Sequence, residues 1–104
     1  MTLNELAEKI HFNALNKGFW NDQMINGELK KGNDIPTKLC LIHSEISEAL
    51  EDYRNGYLTT TINDKKGGKP EGFPTELIDI LFRTLDLASY LRIDLDRELE
   101  LKYK

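Results

Sequence analysis

The segment from Pro74 to Leu91 leaves this chain the least freedom. At about 100° per residue, a helix here carries Leu77, Ile78, Ile80, Leu81, Phe82, Leu85, Leu87, Ala88 and Leu91 over most of its circumference. Only a narrow stripe of Glu76, Asp79, Arg83, Asp86 and Tyr90 is left polar. A helix apolar on so many sides needs neighbours to cover it. Its polar stripe then opens into a cleft or an interface as readily as into bulk water. Three further helices of a 104-residue chain supply too little cover, so self-association as a two-fold dimer is expected.

The other elements follow from local signals. Thr2-Leu3-Asn4-Glu5 has the form of a capping box, Leu3, Leu6, Ile10 and Ala14 recur at helical spacing, and Gly18 is a natural stop. Pro36 suits the first turn of a second helix, where a missing N–H costs nothing. Its apolar face is Leu39, Ile42, Ile46, Ala49, Leu50 and Tyr53, and Asn55-Gly56 ends it. The stretch from Tyr57 to Phe73 lacks periodicity and reads as a long mobile loop. Pro74 opens the third helix, and Asp94 caps a fourth with Leu95, Leu99 and Tyr103 on one side. With no strand or repeat in evidence, the expectation is one all-α domain of four helices over residues 1–104.

Charge and composition narrow the function. A net charge of −4 argues against nucleic-acid or membrane-surface binding. The single cysteine, Cys40, excludes an internal disulfide and a cysteine-rich zinc site, and reads as a small apolar core residue. No apolar stretch approaches membrane-spanning length, and no basic segment followed by an apolar run opens the chain, so the expected compartment is the cytoplasm.

Two acidic pairs stand out, Glu45/Glu48 on the second helix and Glu76/Asp79 on the third. Residues three apart share a helical face, so each pair can present two carboxylates to one point. Spacing alone is weak: 18 acids produce roughly three such pairs by chance, and the chain has four. Context adds more, because both pairs lie on helices with strongly apolar backs. Lys38, Leu41, Glu45, Glu48 and Asp52 share one face of the second helix, opposite much of its apolar seam. Carboxylates crowded there repel unless cations compensate, and hard divalent cations such as Mg²⁺ take oxygen ligands. The alternative is a solvated acidic face balanced by Lys38 and Arg83.

The run Lys38-Leu-Cys-Leu-Ile-His-Ser-Glu45-Ile-Ser-Glu48-Ala-Leu-Glu51, followed by Phe73-Pro-Thr-Glu76-Leu-Ile-Asp79-Ile-Leu, resembles the all-α nucleoside triphosphate pyrophosphohydrolases of the MazG type. Their signature is an E-x-x-E helix, a variable loop and an E-x-x-D helix. The resemblance extends to His11-Phe12-Asn13-Ala14, Lys17-Gly18-Phe19-Trp20, Ile93-Asp94-Leu95 and Glu100-Leu101-Lys102, and so covers most of the chain in order. It implies a four-helix MazG-like bundle assembled as a homo-oligomer, a homodimer or homotetramer. It also implies hydrolysis of the α–β phosphoanhydride of a nucleotide, to a monophosphate and pyrophosphate. Glu45, Glu48, Glu76 and Asp79 become the Mg²⁺ ligands, with Mn²⁺ as a substitute, and Glu45 and Glu48 the candidate proton acceptors. In many relatives the last helix runs on into an Asn and a basic tail that help hold the nucleotide, whereas this sequence stops at Lys102-Tyr103-Lys104.

Further residues acquire paired readings. Trp20 suits stacking on a nucleobase, as similar aromatics do in that family, or an ordinary core or dimer contact. Lys38 and Arg83 either meet phosphate or balance the carboxylates, and Lys102 matches a family lysine or simply marks a helix end. Lys66-Gly67-Gly68-Lys69 lacks the strand and the Ser/Thr of a P-loop, so it is a linker or a basic lid. His11 and His43 read as structural. The favoured function is Mg²⁺-dependent clearance of surplus or non-canonical nucleoside triphosphates, deoxynucleotides foremost. Its rivals are a phosphoribosyl-ATP pyrophosphatase-like enzyme and a non-catalytic helical adaptor.

Overall fold

Local capping sets the helix boundaries. In the computed structural model, which describes residues 1–104, the Thr2 hydroxyl accepts from the Glu5 amide at 3.1 Å and starts α1 (Leu3–Asn16). Asp34 caps α2 (Ile35–Arg54), with Pro36 in the first turn and Gly56 beyond its end at φ +78°. Helix α3 spans Phe73–Tyr90, and Asp94 caps α4 (Leu95–Tyr103). The N-termini of α1 and α4 are clasped together. Asp96 accepts from the Leu3 amide at 3.0 Å, and the Asn4 side chain donates to Asp94 and accepts from the Leu95 amide, both at 2.8 Å.

The four helices are as expected, but the all-α reading without strands is not met. Two antiparallel hairpins join the helices. The first pairs β1 (Gln23–Ile25) with β2 (Glu28–Lys30) across Asn26-Gly27, both at positive φ, as a tight two-residue hairpin requires. The second pairs β3 (Thr61–Asn63) with β4 (Lys69–Glu71) around a 3₁₀ turn at Asp64–Lys66. The segment read as a mobile loop is therefore a built hairpin. Each strand is only three residues long, too short for an alternating pattern, and Pro70 argues against a strand except at an edge.

Helix α3 lies between α1 and α2, and α4 rests mainly on α1. The shared core is small: Ala7, Ala14, Ala49, Leu85, Leu87 and Ala88 are its buried apolar residues. Helix α2 turns an unexpected side inward. Of its predicted apolar seam only Ala49 is buried, while Leu39, Ile46, Leu50 and Tyr53 face solvent. The inward stripe carries Ala49 together with Glu45, and Leu41 and the seam residue Ile42 are half-buried. Cys40, expected in the core, is exposed for the same reason. No helix is long and apolar enough to cross a membrane.

Candidate functional site

Facing α2 across the gap, the polar stripe of α3 lines a cavity of about 510 Å³. This is where the two acidic motifs meet. One carboxylate oxygen from each of Glu45, Glu76 and Asp79 lies within 4.8 Å of the other two. Glu45 is only 9% exposed. Arg83 Nε donates to its Oε1 at 2.8 Å, while Oε2 of Glu45 and Oε2 of Glu76 are buried with no hydrogen-bond partner. An unpartnered buried carboxylate oxygen is costly, and two in one cluster ask for a proton or a cation.

The charges respond accordingly. Burial first, and then the negative charges of Asp79, Glu48 and Glu45 close by, push the Glu76 carboxyl up to about 7. Burial and the Glu45 charge raise Asp79 as well, while Arg83 and Lys69 pull it back down. Glu48, the fourth predicted ligand, stands apart. It is exposed and outside the tight trio, yet near enough for its charge to help raise Glu76.

At its other end the cavity reaches Trp20. Gly18, at φ +80°, turns the chain after α1 so that the indole points back toward α3. There its Nε1 donates to both Asp86 oxygens at 3.0 and 3.1 Å. His11 Nδ1 is 2.6 Å from the same Asp86. Tyr90 stacks on the indole with ring centres 4.1 Å apart and planes 13° from parallel, and the Lys38 ammonium takes the other face at 4.2 Å. Lys38 also donates to the Phe19 carbonyl oxygen, and burial lowers its pKa. The indole is thus covered by both Tyr90 and Lys38, and a base stacks on it only if one of them moves.

Trp20, Lys38, Arg83, Glu45 and Asp79 therefore share one cavity, with Glu76 beside it. Lys102 does not join them; it is exposed near the end of α4 and lines no part of the cavity. His43 is exposed. Two charged cavity residues, Asp86 and Lys69, were not singled out individually by the sequence. Asp86 was visible only as part of the polar stripe, and its contacts come from distant segments. Lys69 was one of several loop lysines, and only the hairpin register selects it. Comparison with family models, curated proteins and solved structures finds no match to this chain.

Proposed function

We propose that this chain is a Mg²⁺-dependent nucleoside triphosphate pyrophosphohydrolase of MazG-like type, acting on surplus or non-canonical nucleotides. The observation that carries the reading is the convergence of Glu45, Glu76 and Asp79 from two helices, with two buried oxygens left unpartnered. An all-oxygen donor set of this kind fits a hard divalent cation, Mg²⁺ or Mn²⁺. Such a cation, when bound, supplies charge neutralisation at the phosphates and acidifies an attacking water. Arg83 holds Glu45 in orientation through Nε. Glu48, exposed and without a hydrogen bond, is free to accept the water's proton. The size of the cavity suits a nucleotide-sized ligand. Trp20, fixed by Asp86 and Tyr90, offers a rigid platform for the base once Lys38 swings aside.

The same reading includes self-association. The single chain exposes 8074 Å², against about 6,000 Å² for a folded monomer of this mass. Part of that excess belongs to the two hairpins, and part is the outward seam of Leu39, Ile46, Leu50 and Tyr53. A second copy covering this seam in two-fold symmetry completes a larger helical bundle.

A panel of nucleoside and deoxynucleoside triphosphates with Mg²⁺, scored for monophosphate and pyrophosphate, tests the activity. Phosphoribosyl-ATP in the same assay separates the closest enzymatic rival. Background release from every substrate, with no stabilisation by Mg²⁺, leaves the helical adaptor as the better reading.

A further inference from the structure

Four cations line the cavity: Lys17, Lys38, Lys69 and Arg83. Two are already engaged. Arg83 is bonded to Glu45, and Lys38 to the Phe19 carbonyl and the Trp20 ring. Lys17 sits where α1 ends, on the side of Phe19 and Trp20. Lys69 comes from a different segment, the hairpin that runs directly into α3 and its two acids. Its charge is felt at Asp79, and its side chain makes no hydrogen bond or ion pair.

The hairpin holds this lysine in a fixed place. Lys69 pairs in register with Asn63, whose side chain accepts from the Lys65 amide at 3.1 Å and whose carbonyl accepts from Gly68 at 3.0 Å. Lys66 is bound to Glu71 at 3.3 Å. At the root, the Phe73 amide donates to the Tyr57 carbonyl at 2.9 Å. Gly72, at φ +126°, lies so close to the Thr59 carbonyl that an added Cβ would come within 2.4 Å of it. Of the three lysines on this hairpin, Lys69 alone lines the cavity.

We infer that Lys69 is a polyphosphate-binding residue, donating to non-bridging phosphate oxygens at the acidic end of the cavity. The inference rests on the nucleotide reading above and names a contact that reading leaves open. An uncommitted ammonium beside a carboxylate cluster gains a charge-assisted hydrogen bond when an anion arrives, and a prebuilt hairpin lowers the entropy lost in making it. The hairpin is then a fixed charge mount rather than a closing lid.

Calorimetric titration of inorganic tripolyphosphate into the full chain, with and without Mg²⁺, is the direct test. Lys69→Ala is compared with Lys69→Arg and with Lys65→Ala, which removes a neighbouring charge off the cavity. Lys69→Ala is expected to weaken binding about tenfold or more, with Lys69→Arg recovering most of it and Lys65→Ala unchanged. In steady-state hydrolysis KM rises further than kcat falls. Unaltered melting temperatures confirm that the fold is intact. Tripolyphosphate binding by Lys69→Ala equal to wild type, or no binding by wild type, overturns the inference. Lys69-dependent binding without nucleotide hydrolysis upholds it and overturns the hydrolase reading instead.

Discussion

Arg83 Nε donates to Glu45 Oε1 at 2.8 Å, and this contact links the two acid-bearing helices in the lining of the cavity. Glu45 is the more enclosed partner and keeps a second oxygen unpartnered. Arg83→Ala leaves a buried carboxylate with no cation. The metal-free protein is expected to lose about 1–2 kcal/mol, a fall of roughly 5–10 °C in melting temperature. Saturating Mg²⁺ restores much of the loss in thermal melts. An unchanged metal-free melt would show that the pair contributes nothing to stability.

The trio and Glu48 separate in a metal titration. Glu45→Gln and Asp79→Asn each remove a clustered ligand, so the Mg²⁺ affinity read from thermal stabilisation, and turnover, should each fall about a hundredfold or more. Glu48→Gln should weaken that affinity by only a few-fold while lowering turnover strongly, as befits a proton acceptor outside the trio. Equal loss of Mg²⁺ stabilisation in all three variants would place Glu48 among the ligands.

The pH dependence has a definite sign. The Glu76 carboxyl is raised from 4.5 to about 7 in the folded chain, so the folded state holds the proton more tightly than the unfolded one. Its contribution to stability is complete below about pH 4.5 and is lost as pH climbs through about 7. Asp79, also raised, acts in the same direction. Melting temperatures in EDTA should therefore fall over this window. Stabilisation by Mg²⁺ should grow across it, because the cation takes the proton's place. A metal-free melt that rises through pH 5–7 would contradict this arrangement.

Gly72 roots the second hairpin on α3. Its φ of +126° and the 2.4 Å approach of an added Cβ to the Thr59 carbonyl make any side chain there strained and crowded. Gly72→Ala is expected to cost about 2 kcal/mol or more, a drop of roughly 10 °C. Turnover should fall with it, since Lys69 and Glu76 flank this residue in the chain. A melt within 2 °C of wild type, about 0.5 kcal/mol, would show that the junction yields.

Light scattering at micromolar concentration should find at least twice the 12.0 kDa chain mass. Ile46→Asp with Leu50→Asp, placed on the outward seam of α2, should return the protein to a monomer. A wild-type mass of 12.0 kDa would leave the seam uncovered and remove the oligomer from the proposed function.

Much of this molecule is legible in one dimension because its controlling signals are local. Thr2, Asp34 and Asp94 cap helices through amides three residues away, and Gly56 follows the end of α2, so those boundaries need no tertiary information. The Glu76–Tyr90 stripe is likewise fixed by helical periodicity, and it does open onto a cleft. Which side of α2 faces inward is a different matter. Both sides carry apolar residues, and the side that packs is the one where small Ala49 admits α3 and Glu45 meets Arg83, 38 residues away. Burial of a charged stripe in preference to Ile46 and Leu50 cannot be read from hydrophobicity, because the partner that stabilises it lies on another helix. Trp20 shows the same limit. Its position after Gly18 is local, but Tyr90, Lys38 and Asp86 come together around the indole only in three dimensions. Three-residue strands are too short to carry periodicity, so the choice of Lys69 over Lys65 and Lys66 as the cavity lysine was made by hairpin register alone.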